Sequence, residues 1–218
     1  MWFLVTMDRP ERCQAALDSM IACEIETPGY VVVNGPLQVE KYRQLRLPKD
    51  WGLIELPENI GICGALNLMF KRFPDEPWYG MPCDDELVFE RRFDRWLIRE
   101  AGAWNISHGN DGWRSQYRLW TYATFGGDLL RACGYWALPG LWHWYFDDHW
   151  ELIAKEFGLK RHCEGIRTEH RHTDNGAVDL DATYQAGRAN ADSDRRRFEQ
   201  WKREEWPSLR ARIAQAKQ

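Results

Sequence analysis

Short apolar runs alternate with amphipathic stretches along the first half of the chain. Residues 2–7 form an apolar run that ends at Asp8-Arg9-Pro10, and the spacing of the next apolar residues predicts a helix from Pro10 to about residue 23. Residues 30–33 are a second apolar run, placed directly after Pro28-Gly29. A strand, a helix and a strand within about 35 residues have the size of a βαβ unit.

The same alternation continues to the end of the chain. Further strands are predicted at 53–56, from 78 onward, and at 104–107, 121–125 and 165–172, and further helices at 63–70, 89–101, 128–133 and 147–157. This order predicts an α/β fold, a single domain with a mostly parallel sheet and helices on both faces. Residues 173–190 are polar and predict a loop, and a charged helix capped at residue 192 or 193 follows. We therefore predict one domain over 1–188 and a C-terminal helical extension over 189–218.

An acidic cluster follows the strand that begins at Trp78. The apolar run ends in Asp84 and Asp85, with Glu86 directly behind them. In open α/β sheets, ligands bind at the carboxyl ends of the strands, which is where this cluster would lie. Clustered oxygen ligands suit a hard divalent cation, Mg²⁺ or Mn²⁺, that also holds a diphosphate. The alternative is a solvated acidic turn after the strand.

Two other groups of polar residues have the chemistry to join such a site. His170 and His172 lie two residues apart, so a strand would place both on one face, where an imidazole can complete the ligand set of the cation. Asp147 and Asp148 begin a predicted helix after an aromatic loop, where burial or a neighbouring carboxylate can turn one of them into a general base. The alternatives are an exposed histidine pair and an ordinary acidic helix start.

The first two strands also end in polar residues. Thr6 and Arg9 follow the first strand, and the planar guanidinium of Arg9 suits a diphosphate, although a surface ion pair is equally compatible with its position. Asn34 follows the second strand, where it either borders a base or ribose or forms a plain turn. The chain has neither a Walker A loop nor a GxGxxG motif, so metal-assisted binding is the remaining way to hold a diphosphate.

Composition narrows the choice of partners and compartment. The formal net charge of −4 gives no general attraction to nucleic acid or to an anionic membrane, and no apolar stretch reaches the length of a membrane span. The six cysteines are scattered and the N-terminus lacks the features of a signal peptide, so we expect reduced thiols and a cytoplasmic protein. Thirteen tryptophans either pack the core or provide platforms for sugars and bases.

Taken together, these residues resemble the GT-A class of nucleotide-sugar glycosyltransferases, particularly the family-two-like group, over nearly the whole chain. Asp84-Asp85 resemble the DxD-type motif, and Asp147 lies where the motif that supplies the catalytic base has its aspartate. The late His170 and His172 resemble the metal-binding histidine of the family. The nucleotide-binding elements are similar at Thr6, Arg9, Asn34, Asn59 and Asn67. Cys83 and Val33 depart from the pattern, because many relatives have aspartate at both positions.

The resemblance implies a GT-A (Rossmann-like) fold and a metal-dependent, inverting glycosyl transfer. Mn²⁺ or Mg²⁺ would be bound by Asp85 with Asp84 and one of the two histidines, and Asp147, or else Asp148, would be the base. The donor would be a nucleoside-diphosphate sugar, most often a UDP-sugar. The candidates for holding the acceptor are Asp111, Trp142 and Trp144.

The sequence leaves the acceptor and the assembly state open. The chain is similar to small glycosyltransferase-like proteins encoded by bacteriophages and prophages, which would act in the host cytoplasm. The candidate acceptors are a surface glycan, a lipid-linked sugar, a protein side chain and a hydroxymethylated base in phage DNA. A homodimer is compatible with the aromatic loop. Two alternative functions are a sugar nucleotidyltransferase and a non-catalytic sugar- or nucleic-acid-binding module on the same fold.

Overall fold

A single mixed sheet forms the centre of the protein. The computed structural model describes residues 1–112, 122–172, 176 and 181–218, and within them the sheet has eight strands. In chain order these are β1 (Trp2–Thr6), β2 (Gly29–Asn34), β3 (Trp51–Leu56), β4 (Trp78–Met81), β5 (Glu86–Val88), β6 (Ile106–Asn110), β7 (Ala123–Gly126) and β8 (Lys160–His170). Across the sheet their order is β3-β2-β1-β4-β7-β6-β8-β5.

The first four strands in space are parallel, as the alternation of strands and helices predicts. β1 pairs in parallel with both β2 and β4, and β2 pairs in parallel with β3. β7 then runs antiparallel to its neighbours β4 and β6, while β8 is parallel to β6 and antiparallel to β5. The predicted α/β class with a mostly parallel, Rossmann-like sheet is confirmed.

Helices cover both faces of this sheet. In the described residues they are α1 (Pro10–Ala22), α2 (Val39–Tyr42), α3 (Gly61–Arg72), α4 (Phe93–Ala101), α5 (Gly127–Cys133), α6 (Phe146–Phe157), α7 (Ala182–Ala189), α8 (Ala191–Glu204) and α9 (Trp206–Ala216). Pro10 stands at the first position of α1, where its missing N–H costs no helical hydrogen bond. None of these helices combines the length and the apolar composition that crossing a bilayer requires.

The core lies on both sides of β1 because side chains alternate along a strand. Phe3 packs into a cluster with residues of α3, α5, α6, α8 and α9, whereas Trp2 and Leu4 pack on the other face with residues of α1 and α4. All three side chains are fully buried. Trp2 needs a glycine beside it, since a Cβ at Gly80 would lie 2.1 Å from the indole ring.

Several elements differ from the sequence prediction, which lacked α2 and β5 and placed β6 at 104–107. The helix predicted at 89–101 begins only at Phe93, because the Phe89 backbone N–H donates to the carbonyl of Arg167 in β8 and Arg92 has a left-handed φ of 56°. The strand predicted at 165–172 begins earlier and ends at His170. The loop predicted at 173–190 lies partly outside the described residues, and its described part contains α7.

The C-terminal helices belong to the main core. α8 and α9 bury Phe198, Trp201, Leu209 and Ile213 in the same cluster that covers one face of the sheet. Pro207 stands within the first two positions of α9, which begins a new helix there. A domain boundary between residues 188 and 189 stays a prediction.

Asn67 shows how a side chain of α3 fixes a distant loop. Its Oδ1 accepts hydrogen bonds from the backbone N–H groups of Trp136 and Ala137, each at 2.9 Å, and its Nδ2 donates to the carbonyl of Ala137 at 2.8 Å. Because Trp136 and Ala137 are fully buried, no water can replace these contacts. We therefore assign Asn67 a structural role, and the nucleotide-sugar contact that the sequence predicted for it stays a prediction.

We predict that Asn67→Ala lowers the free energy of unfolding by about 2–4 kcal/mol, because two buried N–H groups lose their acceptor. The measurement is urea denaturation of both proteins followed by tryptophan fluorescence. The matched control is Gln200→Ala, which removes one exposed amide contact to Glu204 and should change stability by less than about 0.5 kcal/mol. A loss below about 1 kcal/mol in Asn67→Ala would show that other contacts hold the loop.

Candidate active site

Asp84 lies at the carboxyl edge of the sheet, against the end of the first strand. A single parallel bridge between Cys83 and Val5 continues the pairing of β1 with β4 and brings Asp84 beside Thr6 and Arg9. The Thr6 hydroxyl donates to Asp84 Oδ2 at 2.7 Å, and Arg9 Nη1 donates to Asp84 Oδ1 at 3.3 Å. Burial raises the pKa of Asp84 to about 6, although the charge of Arg9 acts in the opposite direction. The structure thus brings three of the predicted site residues together.

Tyr42 and the backbone of Asp8 hold Arg9 in this position. Asp8 has a φ of 56°, a left-handed conformation that aspartate adopts more readily than most residues, and it turns the chain between β1 and α1. The buried Tyr42 hydroxyl accepts the Arg9 backbone N–H at 2.8 Å and lies 3.0 Å from Thr6 Oγ1. Sequence reasoning missed Tyr42, since it lies in a short helix without a periodic signal.

Arg9 also pairs with Asp181, a residue that sequence reasoning missed. Arg9 Nε donates to Asp181 Oδ2 at 2.8 Å, and Arg9 Nη2 donates to Asp181 Oδ1 at 2.7 Å. Arg12 Nη1 lies 3.4 Å from the same carboxylate. No local pattern could have indicated this contact, because the two partners are 172 positions apart.

Asp85 points toward His170, the last residue of β8. The antiparallel pairing of β5 with β8 sets Glu86 opposite His170, so the histidine comes next to the acidic cluster. Asp85 Oδ2 lies 3.7 Å from His170 Nε2, and the Asp85 carbonyl accepts the Arg171 backbone N–H at 2.7 Å. An early carboxylate and a late imidazole therefore meet, as the sequence predicts.

Glu86 and His170 shift each other's proton affinity. Burial raises the pKa of Glu86 to about 8, and the nearby His170 acts against this rise. Burial acts to lower the pKa of His170, but Asp85 and Glu86 outweigh it and raise this pKa to about 9. The Glu86 carboxyl accepts the backbone N–H groups of Tyr122 and Cys83, which keeps it behind the cluster.

His172 lies just beyond the strand that was predicted to contain it. β8 ends at His170, and the His172 backbone N–H donates to the His170 carbonyl at 3.1 Å, so the two histidines do not share a strand face. Their rings are nevertheless 5.2 Å apart. Asp111, which follows the end of β6, is close enough for its charge to raise the pKa of His170.

Asp147 brings a carboxyl group with a raised pKa to the same neighbourhood. Asp147 and Asp148 stand in the first turn of α6. Burial of its carboxyl group and then the charge of Asp148 raise the pKa of Asp147 to about 7, while His170 acts in the opposite direction. A carboxyl group whose pKa lies near neutral pH can both accept and release a proton under ordinary conditions.

Asp194 of α8 holds the aromatic loop that precedes α6. Its Oδ1 accepts the backbone N–H of Trp142 at 2.8 Å, and its Oδ2 accepts those of His143 and Trp144, each at 2.9 Å. Asp194 is only 1% exposed. Sequence reasoning expected Asp192 or Ser193 to cap a surface helix and missed this carboxylate, whose partners lie about 50 residues earlier.

The side chains of the three residues that Asp194 holds have different surroundings. The Trp142 indole packs against Gly61 at the start of α3, where a Cβ would lie 2.8 Å from the ring. Trp144 Nε1 donates to the carbonyl of Gly187 in α7 at 2.8 Å. Both tryptophans are partly exposed, whereas His143 between them is exposed. An acceptor-holding role for Trp142 and Trp144 stays a prediction.

Asn34 and Asn59 meet beside the start of α3. Asn34 Nδ2 donates to Asn59 Oδ1 at 3.1 Å. Asn34 Oδ1 accepts the Ile60 backbone N–H, and Asn59 Oδ1 accepts that of Gly61, each at 3.0 Å. These contacts fix the chain at the entrance to α3, so both amides have a structural task in addition to any role toward a nucleotide.

Asp85 and His170 at the sheet edge provide two donor atoms of the kinds that a divalent cation takes together with a phosphate ligand. Among the described residues, no group of three or more His, Cys, Asp or Glu side chains is arranged to hold a metal ion. Asp85 and His170 offer one oxygen and one nitrogen whose 3.7 Å separation is shorter than twice the roughly 2.1 Å bond length of Mg²⁺. Mg²⁺ commonly takes one or two carboxylates and completes its shell with water and substrate phosphates.

Comparison with known proteins supports the fold alone. No protein-family model and no curated protein matches the chain. Among solved structures, it is similar to glucosyl-3-phosphoglycerate synthase from Mycobacterium tuberculosis in complex with Mn²⁺, UDP and glucosyl-3-phosphoglycerate, with a TM-score of 0.57 and 11% identity over 81% of this chain and 74% of that one. The complex of that enzyme with Mn²⁺, UDP and phosphoglyceric acid gives a TM-score of 0.56 and 13% identity over 81% of this chain and 72% of that one.

The structure of S. aureus TarS 1-349 gives a lower TM-score of 0.45 and 16% identity over 62% of this chain. The alignment covers 49% of the TarS 1-349 chain, so this protein spans about half of its length.

We predict that Asp194→Asn lowers the free energy of unfolding by about 1.5–4 kcal/mol, because an amide has one acceptor oxygen for three backbone N–H groups and turns its own N–H₂ toward them. Near-ultraviolet circular dichroism should change at the same time, since the loop carries two tryptophans. The matched control is Asp192→Asn in the same helix, which loses only an exposed ion pair with Arg195. Equal stability of the two variants would contradict the assignment.

Proposed function

We propose that this protein is a metal-dependent, inverting glycosyltransferase of the GT-A fold, related to the family-two-like group. It would move a sugar from a nucleoside-diphosphate donor, a UDP-sugar, to an acceptor hydroxyl. The observation that carries the proposal is the meeting of Asp85 with His170, 3.7 Å apart, beside the Thr6–Asp84–Arg9 cluster at the carboxyl edge of the sheet. The neighbouring structures with UDP and Mn²⁺ have the same fold and support this choice of donor and metal.

Asp85 and His170 are the residues that would hold the cation, with Asp84 and His172 beside them. A bound Mg²⁺ or Mn²⁺ neutralises part of the charge of the diphosphate. His170 must lose a proton before it can act as a ligand, since metal binding requires the neutral imidazole. Its raised pKa of about 9 means that metal and proton compete for this ring.

Asp147 is the proposed general base. Its carboxylate accepts the proton of the acceptor hydroxyl while the acceptor oxygen forms a bond with the anomeric carbon. The bond between the anomeric carbon and the diphosphate oxygen breaks, and the electron pair leaves with the nucleoside diphosphate. Attack from the face opposite to the leaving group inverts the anomeric centre. Arg9 lies at the end of β1, where its guanidinium can hold the departing diphosphate.

The residues proposed to hold the acceptor are chosen for their positions near His170 and Asp147. Asp111 lies near His170, and Trp142 and Trp144 lie in the loop directly before α6, which carries Asp147. Partly exposed indole rings suit the apolar face of a sugar or the plane of a base. A glycan and a hydroxymethylated DNA base of a phage both offer the required hydroxyl.

We predict that UDP binds with a several-fold lower dissociation constant when Mn²⁺ is present, and that Asp85→Ala removes this difference, because it deletes a carboxylate ligand of the cation. Isothermal titration calorimetry of UDP with and without Mn²⁺ measures the two dissociation constants in the wild type and in Asp85→Ala. The control is Asp75→Ala, an exposed aspartate before β4, which should bind as the wild type does. Equal dissociation constants for UDP with and without Mn²⁺ in the wild type would contradict the proposed metal site.

We predict that Asp147→Asn lowers sugar transfer, measured as UDP release from UDP-glucose or UDP-GlcNAc, by about 10²–10⁴-fold and leaves the dissociation constant of UDP unchanged. At a saturating Mn²⁺ concentration, which displaces the proton from His170, the wild-type rate should rise with pH up to about 7 and then level off, since the base is active only as the carboxylate. A normal rate in Asp147→Asn, together with a large loss in Asp148→Asn, would assign the base to Asp148.

The same assay separates the alternative functions. A nucleotidyltransferase would release pyrophosphate from UTP and a sugar 1-phosphate, and a binding module would bind donors without any release of UDP. Either result would replace the proposed transfer reaction.

A further inference from the structure

The arginine of the proposed donor site already holds an anion that belongs to the chain itself. Two nitrogens of Arg9, Nε and Nη2, donate to the two carboxylate oxygens of Asp181 at 2.8 and 2.7 Å, while Nη1 faces Asp84. This is the bidentate arrangement in which guanidinium groups bind carboxylates and phosphates alike. The Arg9 side chain is 7% exposed and that of Asp181 is 31% exposed, so Asp181 covers Arg9 from the solvent side.

Asp181 directly precedes α7, and a hydrogen bond fixes each end of this helix. The Thr183 hydroxyl donates to the carbonyl of Met7 at 3.0 Å, next to the turn that contains Arg9. At the other end, Trp144 Nε1 donates to the carbonyl of Gly187 at 2.8 Å. The helix therefore bridges the turn after β1 and the aromatic loop, and the residue directly before the helix forms the ion pair with Arg9.

A diphosphate and the Asp181 carboxylate cannot use the same two nitrogens of Arg9 at once. We propose that Asp181 is an internal ligand of the donor site, which the diphosphate of the incoming donor displaces from Arg9. The identity of that donor rests on the proposed function, whereas the competition of an anion with Asp181 follows from the ion pair itself. Arg12, whose Nη1 lies 3.4 Å from Asp181, offers the displaced carboxylate a second cation.

Displacement makes Asp181 a determinant of donor affinity. Each bound diphosphate must break the pair between Arg9 and Asp181, so the observed affinity is lower than the intrinsic affinity of the site. The alternative role is that Asp181 orients Arg9 for the donor. In that case removing the Asp181 carboxylate would weaken the binding of the diphosphate. The two roles predict changes of opposite sign.

The test compares the wild type with Asp181→Asn, a variant that keeps the shape of the side chain and removes its charge. Dissociation constants for UDP and for inorganic pyrophosphate are measured by titration calorimetry without divalent cations. We expect both ligands to bind about tenfold more tightly to Asp181→Asn, because the internal competitor is weakened. Asp18→Asn, which loses an exposed ion pair with Arg46, is the matched control and should bind as the wild type does.

Hydrogen–deuterium exchange gives a second measurement on the same proteins. The amides of α7 (Ala182–Ala189) should exchange faster in the wild type when UDP is added, and in Asp181→Asn they should exchange fast without it. Unchanged or weaker binding of both ligands by Asp181→Asn would overturn the proposal, as would the absence of binding by either protein. UDP-induced slowing of exchange in α7 of the wild type would also overturn it.

The outcomes separate this proposal from the proposed function. Tighter pyrophosphate binding in Asp181→Asn without sugar transfer from any donor would leave the internal ligand in place and reject the transferase. Sugar transfer by the wild type with equal dissociation constants in the two proteins would leave the transferase in place and reject the internal ligand.

Discussion

The requirement to partner a buried carboxylate shapes the carboxyl edge of this sheet. Asp84 is 8% exposed, and a charge in that position costs several kcal/mol unless neighbouring donors compensate it. Its two oxygens bind Thr6 and Arg9, and Tyr42 in turn holds the backbone of Arg9. The ends of β1 and β4 and the helix α2 are thereby fixed relative to one another.

Buried carboxylates also fix two loops that lie elsewhere in the molecule. Asp194 accepts three backbone N–H groups from the aromatic loop, and the fully buried Asp94 accepts the backbone N–H groups of Glu26 and Thr27 together with the Thr27 hydroxyl. In each case the carboxylate satisfies N–H groups that have no partner in a strand or helix. The loop before α6 is therefore as well anchored as a regular element, which keeps Asp147 at a defined place.

Sheet topology decides which distant residues become neighbours. The parallel strands β3, β2, β1 and β4 follow the local alternation of strands and helices, but β7 enters antiparallel to β4, and β5 pairs antiparallel with β8. That last pairing sets Glu86 opposite His170. A shift by one residue would turn His170 to the other face of the sheet and separate it from Asp85. The proposed metal site thus depends on one register between two strands that are far apart in sequence.

The sequence by itself determined the features that depend on near neighbours: the parallel strands, the helices α1, α3, α5 and α6, and the acidic pair after β4. Hydrophobic periodicity and turn residues carry this information within about 20 residues. Only the tertiary structure decided the partners of Asp84, the structural role of Asn67, the late start of α4 and the contact of Arg9 with Asp181. The contacts of Asp84, Asn67 and Arg9 join residues between 69 and 172 positions apart. A buried polar group can form a hydrogen bond with any donor or acceptor of suitable chemistry. The fold decides which residue becomes the partner, because it brings that residue within about 3 Å.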